Sequence, residues 1–196
     1  APHVRGAVES LKLDRIESEK LRVKLKSISH LLPAVSGAKV LWIDDRPEKI
    51  IAERRLLRAL GVVVVSATSS DEAREVLRVD RDFDLIVSDV QRLGETHVLT
   101  GGVDIHEGVN FVVWLRTRFG DPFVANLPVL FYAAYDWPKL VEYTRPARET
   151  FPEPGISNSV LDFVPKILTA LADGRDMAIG VPAEKTPTAI RRNVKF

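Results

Sequence analysis

The stretch VLWIDDRPEK, residues 40–49, runs four apolar side chains directly into two adjacent carboxylates, Asp44 and Asp45. A short apolar run stopped abruptly by charge reads as a buried strand ending at a surface crevice. The same pattern recurs at FDLIVSDV, residues 83–90, where the run meets Asp89. Further apolar runs stand at VVVVSA (62–67), LPVLFYAA (127–134) and ISNSV (156–160). Helical periodicity fills the intervals. PEKIIAERRLLRALG spaces its apolar residues for one face and stops at Gly61, and SSDEAREVLRV opens on N-capping residues. GVNFVVWLRTRFG reads as a helix, WPKLVEYTRPARETF as a broken one, and VPKILTALAD as a helix with Pro165 in its first turn.

Strands that are apolar throughout, alternating with helices, predict a parallel sheet covered on both faces. Five such repeats with right-handed crossovers give a doubly wound α/β fold in the flavodoxin-like order 2-1-3-4-5. Ligands in such sheets bind beyond the carboxyl ends of the strands, where the order reverses, and there strands 1 and 3 are neighbours. Asp44, Asp45 and Asp89 therefore meet in one crevice. Mutual repulsion between three carboxylates calls for a hard cation with oxygen ligands, and Mg²⁺ is the expected cofactor.

Composition narrows the rest. The 196 residues carry a net charge of +1 and no cysteine, which excludes thiol chemistry and a disulfide framework. No apolar run is long enough to span a membrane, and the start APHVRGAVES has no apolar signal core, so a cytoplasmic location is expected. Residues 1–37 are expected to form a charged amphipathic helix and linker, 38–173 the domain, and 174–196 a tail. In the first segment Leu21, Leu25, Ile28 and Leu32 make an apolar stripe. With Pro33 and Gly37 behind it, this helix is expected to stand off the domain and serve a homodimer. Lys20, Arg22, Lys24 and Lys26 are interleaved with acids, so a solvated face is read there and no nucleic-acid site.

The acidic pair after strand 1, the acid after strand 3 and the five-fold rhythm together resemble the receiver domain of bacterial response regulators, over residues 38–172. The resemblance implies a non-enzymatic signalling module of a two-component phosphorelay, with a protein partner such as a histidine kinase. It implies that Asp89 is the phosphoacceptor, that Asp44, Asp45 and Asp89 hold Mg²⁺, and that Gln91 lends its backbone carbonyl. Two features of the family are missing. Ala133 stands where a strand-4 Thr or Ser is usual, and the strand-5 Lys is absent, its place counted near Asp162, with Lys166 expected inside the last helix. A charge-assisted hydrogen bond contributes roughly 1.5–3 kcal/mol, so phosphorylation is expected to be weak or abandoned. Arg46 and Arg92 are near enough to supply a substitute cation, against the plainer reading of solvated loop arginines. The alternative is a working phosphoacceptor with a rearranged pocket. A flavodoxin-like enzyme or small-molecule binder is disfavoured, because DDRPEK replaces a Gly-rich phosphate loop. The long connection QRLGETHVLTGGVDIHE, residues 91–107, is read as a lid; His97, Asp104, His106 and Glu107 in it match no metal signature. Tyr132, Tyr135 and Trp137 cluster after strand 4 without an assigned role.

Overall fold

A computed structural model describes residues 2–92, 106–149 and 155–180. Five parallel strands, β1 (Lys39–Ile43), β2 (Val63–Ala67), β3 (Leu85–Ser88), β4 (Val129–Tyr132) and β5 (Gly155–Ser157), lie in the order β2-β1-β3-β4-β5. This is the expected order, and β1 and β3 are neighbours, with Ile43 opposite Ser88. The apolar runs divide by strand alternation. Val40 and Trp42 of β1 enter one core and Leu41 and Ile43 the other, so a strand that is apolar throughout fills both sides of the sheet.

One side is covered by α5 (Ser70–Val79), α6 (Glu107–Arg118) and α8 (Trp137–Arg148), with the short α7 (Pro122–Ala125) after α6. The other side is covered by α4 (Ile51–Ala59) and α9 (Val160–Gly180). Gly61 adopts a φ of +92°, the left-handed conformation that ends α4 cheaply for glycine alone. Ser69 caps α5, its hydroxyl accepting from the Glu72 amide. Among the described residues no helix is long and apolar enough to cross a membrane.

The amino-terminal segment departs from expectation. It is no single helix but α1 (Pro2–Glu9), α2 (Arg15–Ser27), a 3-10 turn at Ser29–Leu31 and α3 (Leu32–Val35). Lys12, at a φ of +53°, turns the chain between α1 and α2, and Asp14 and Glu17 form a capping box at the start of α2. These helices form a further layer over α4 and α9. Leu21 is fully buried, and Leu25, Ile28 and Leu32 pack partly buried against the same core. The stripe expected to meet a second copy is thus covered by the chain's own domain, and the homodimer expectation loses the face on which it was built.

Three other boundaries differ. β5 spans Gly155–Ser157, earlier than the expected 156–160. α8 is continuous through Pro146, which sits near its carboxyl end, so the helix is not broken. α9 begins at Val160 and runs to Gly180, past the expected start of the tail at 174, and Pro165 lies in its second turn. A proline there cannot donate to the carbonyl four residues back, that of Leu161. Lys24 Nζ from α2 donates to that carbonyl at 3.0 Å and ties the amino-terminal layer to α9.

Candidate functional site

Ladder hydrogen bonds set the acids in place. The Asp44 amide donates to the Ala67 carbonyl and the Asp89 amide to the Ile43 carbonyl, each at 3.0 Å, so each acid continues the pairing of the strand it follows. Each of Asp44, Asp45 and Asp89 offers a carboxylate oxygen within 4.8 Å of those of the other two. Among the described residues this is the one group of acids or imidazoles so arranged. Two unit charges at that separation repel by roughly 1 kcal/mol in bulk water and by several times more in a partly buried site. Asp44 and Asp89 are buried, and Asp45 is half-buried.

The electrostatics follow from this crowding. The Asp89 carboxyl is raised to about 6, first by burial and then by the charge of Asp44, against the opposing effects of the Val90 amide and the Arg92 guanidinium. Burial also raises Asp44, with the amide of Arg46 acting against it. That amide donates to Asp44 Oδ1 at 2.8 Å, and the Val90 amide donates to Asp89 Oδ1 at 2.6 Å. Asp45 Oδ1 is shielded from solvent without a hydrogen bond, its nearest cation being Arg46 Nε at 3.4 Å. A shielded carboxylate oxygen lacking a donor, beside two more carboxylates, fits an oxygen-coordinated divalent cation.

The two arginines have different places. Arg46 is half-exposed and spans the site, Nε toward Asp45 and Nη2 3.9 Å from Asp89 Oδ2. Arg92 is fully buried, which overturns the reading of a solvated loop arginine. Its Nη1 donates to Ser88 Oγ at 2.9 Å and its Nη2 to Ser70 Oγ at 2.6 Å, and Nη1 also lies 3.4 Å from the Asp89 carbonyl. Arg92 therefore braces the backbone at Asp89. Nothing in the loop sequence announces this, because its two serine partners lie on other elements.

Around the rim, Gln91 turns its side-chain amide to His106 Nε2 at 3.4 Å, and the His106 ring lies 4.6 Å from that of Tyr143. Glu107 is buried in the first turn of α6. His97 and Asp104 fall outside the described residues. A β-carbon on Gly108 would overlap the Asp89 carbonyl oxygen, so the start of α6 presses backbone to backbone against Asp89, and only glycine permits that approach.

Ala133 follows β4 and offers a methyl group where a hydroxyl was looked for; its amide donates to the Ser157 carbonyl at 3.2 Å. Asp162 is not at the end of β5. It lies in the first turn of α9, accepting from Ser157 Oγ at 3.1 Å and pairing with Lys166 at 2.7 Å. The expected position near Asp162 lies too far along because β5 has only three residues, Gly155–Ser157. Lys166 also donates to the Ile156 carbonyl at 2.8 Å, inside α9 as expected. The aromatic cluster disperses. Tyr132 stacks on Phe163, ring centroids 4.0 Å apart, and donates to Glu53 on the opposite face. Trp137 is half-exposed near Lys166. Tyr135 remains at the site: its phenol is raised by burial and then by the charge of Asp89, with Arg46 opposing.

No family model matches this chain, and no curated protein sequence matches it. Solved structures do. The chemotaxis protein CheY4 of Vibrio cholerae is 20% identical, the match covering 69% of this chain and 99% of that one at a TM-score of 0.52. The receiver domain of response regulator 1452 from Francisella is 17% identical over 70% of this chain and 98% of its own, at 0.50. The signal receiver domain of an HD domain-containing protein from Pseudomonas fluorescens Pf-5 is 11% identical over 74% and 94%, at 0.53. With five parallel strands in the order shared by these neighbours and an acid-lined crevice at the strand ends, the chain is built on the receiver fold of response regulators.

Proposed function

We propose that the chain is an atypical receiver-type signalling module of a two-component phosphorelay, working through protein contacts and not by catalytic turnover. Its acidic pocket takes up Mg²⁺ weakly through Asp44, Asp45, Asp89 and the Gln91 carbonyl, and phosphorylation at Asp89 is weak or absent. The observation that carries this reading is the pairing of three clustered carboxylates with a methyl group, Ala133, at the end of β4. The donor set suits a cation, while two groups that would hold a phosphoryl oxygen are missing. Bound Mg²⁺ would neutralise phosphoryl oxygens and align them. In transfer from a phosphohistidine, an Asp89 carboxylate oxygen attacks phosphorus, the P–N bond breaks, and the imidazole nitrogen keeps the electron pair and takes a proton. The raised pKa of Asp89 lowers the share of attacking carboxylate near neutral pH while no cation is present.

A second reading rests on Arg46 and Tyr135. Arg46 reaches both Asp45 and Asp89, and the Tyr135 phenol stands within electrostatic reach of Asp89. These two would replace the missing cation and hydroxyl in a working phosphoacceptor. Incubation with Mg²⁺ and acetyl phosphate, followed by intact mass, separates the readings. The first expects little or short-lived adduct. A stable single phosphoryl adduct, lost in Asp89→Asn and reduced in Arg46→Ala, establishes the second.

A further inference from the structure

Among the described residues, Arg92 is the one cation that the fold buries completely, and it follows Asp89 by three residues. Its Nη2 donates to Ser70 Oγ in the first turn of α5. Its Nη1 donates to Ser88 Oγ at the end of β3, with the Asp89 carbonyl beside it. Its guanidinium carbon lies 5.9 Å from the centre of the Phe111 ring, on α6. The charge is thus held in place from three elements, and each of these partners is neutral.

A buried guanidinium stays ionised, and its burial is costly unless opposite charge lies near. The acid cluster supplies such charge. Arg92 acts to lower the carboxyls of both Asp44 and Asp89, against the burial and mutual repulsion that raise them. Arg46 acts from the solvent side, with 47% of its side chain exposed, so water and salt screen it. Arg92 has no such screen. A divalent cation entering the cluster therefore meets a fixed like charge. Two roles for Arg92 differ in sign. A brace alone keeps Asp89 in position, so its loss would loosen the ligands and weaken Mg²⁺ binding. A resident charge repels the ion, so its loss would tighten binding.

We propose that Arg92 is the resident counter-ion of the acid cluster and that its charge holds the Mg²⁺ affinity of the pocket low. It offsets part of the negative charge that a metal would otherwise neutralise, so the metal-free pocket is partly balanced from within. This deepens the reading given above and rests on it, since Asp44, Asp45 and Asp89 must be the cation site.

The test is titration calorimetry of the full chain with magnesium chloride at about pH 8.5, well above the raised Asp89 carboxyl. The parent should bind weakly and Arg92→Gln about tenfold tighter. Arg92→Lys keeps the charge and should bind like the parent. Circular dichroism checks the fold of each variant. If Arg92→Gln does not fold, Ser70→Asp takes its place. That substitution gives the guanidinium a carboxylate of its own at the start of α5, where an acid is favoured, and should tighten binding by a similar factor. The proposal is overturned if the charge-removing or charge-pairing variant binds Mg²⁺ no tighter than the parent, or if Arg92→Lys tightens as much as Arg92→Gln. In either case the parent still binds, and Arg92 is a brace alone. If neither parent nor variant takes up Mg²⁺, or if Asp89→Asn binds as well as the parent, the acid cluster is not the cation site and both readings fall together.

Discussion

Replacing Asp89 by Asn should stabilise the metal-free protein at neutral pH, and the gain should vanish in acid. The carboxyl sits at about 6 in the folded protein against an ordinary 3.8. That gap corresponds to about 3 kcal/mol of folding free energy. Because the folded value is raised, the native state keeps the proton to higher pH than the unfolded chain. The contribution is complete below 3.8 and is lost as pH climbs through about 6. Asparagine has no charge to desolvate or to set against Asp44, and its carbonyl oxygen can still accept from the Val90 amide. The loss of the 3.9 Å contact with half-exposed Arg46 subtracts little. Asp89→Asn should therefore be more stable by about 2–3 kcal/mol near pH 7.5, and by roughly half a kcal/mol near pH 4. Urea unfolding with a chelator at both pH values measures the difference, and titrating groups away from the site cancel between the two proteins. Added Mg²⁺ should narrow the gap from the other side, stabilising the wild type by about 1.4 kcal/mol at ten times its Kd and the variant far less. An Asn variant that is no more stable than the parent at neutral pH, or whose advantage persists in acid, refutes the account of three crowded, buried carboxylates.

Further outcomes follow from the same geometry. Asp45→Asn should weaken Mg²⁺ binding in titration calorimetry while leaving metal-free stability level or higher; equal affinity in both proteins counts against the carboxylate cluster as the site. Beryllofluoride should cause little change in proton–nitrogen NMR spectra, because Ala133 and β5 offer no matching contact, and large shifts reaching β4 and α9 would mean that other groups replace them. Gly108→Ala should destabilise by about 3 kcal/mol or more, since its β-carbon would overlap the carbonyl of Asp89, and thermal unfolding checks it. Lys24→Met should cost about 0.5 kcal/mol in the parent and nothing on a Pro165→Ala background, where the backbone N–H restored by that substitution satisfies the Leu161 carbonyl, as a double-mutant cycle in urea will show.

The sheet was legible because β1 and β3 spell out their own burial: an apolar run on both faces, then acids at the reversal of strand order. Asp44, Asp45 and Asp89 could be gathered into one crevice from topology alone. Arg92 could not, because its burial depends on Ser70 and Ser88, which the fold brings to it. Gly108 was invisible for a similar reason: the need for a missing side chain arises only where the start of α6 meets the end of β3. The amino-terminal stripe shows a different limit. Periodicity reveals that Leu21 must be buried, but not against what, and here the cover is the chain's own core. β5 was misplaced because three residues carry too little pattern to fix a boundary.

Gln91 and His106 lie side by side at the two ends of the connection between β3 and α6, their side-chain nitrogens 3.4 Å apart, and Gly108 clamps the second end against Asp89. A connection whose ends are already joined is, in polymer terms, a closed ring, and each doubling of its contour costs only about 0.6 kcal/mol of closure entropy. Chain added after Arg92, whose buried guanidinium must stay in place, would therefore cost little closure entropy. Both anchors stand beside Asp89, so a change of charge at that carboxylate would be felt at the two ends of the connection at once.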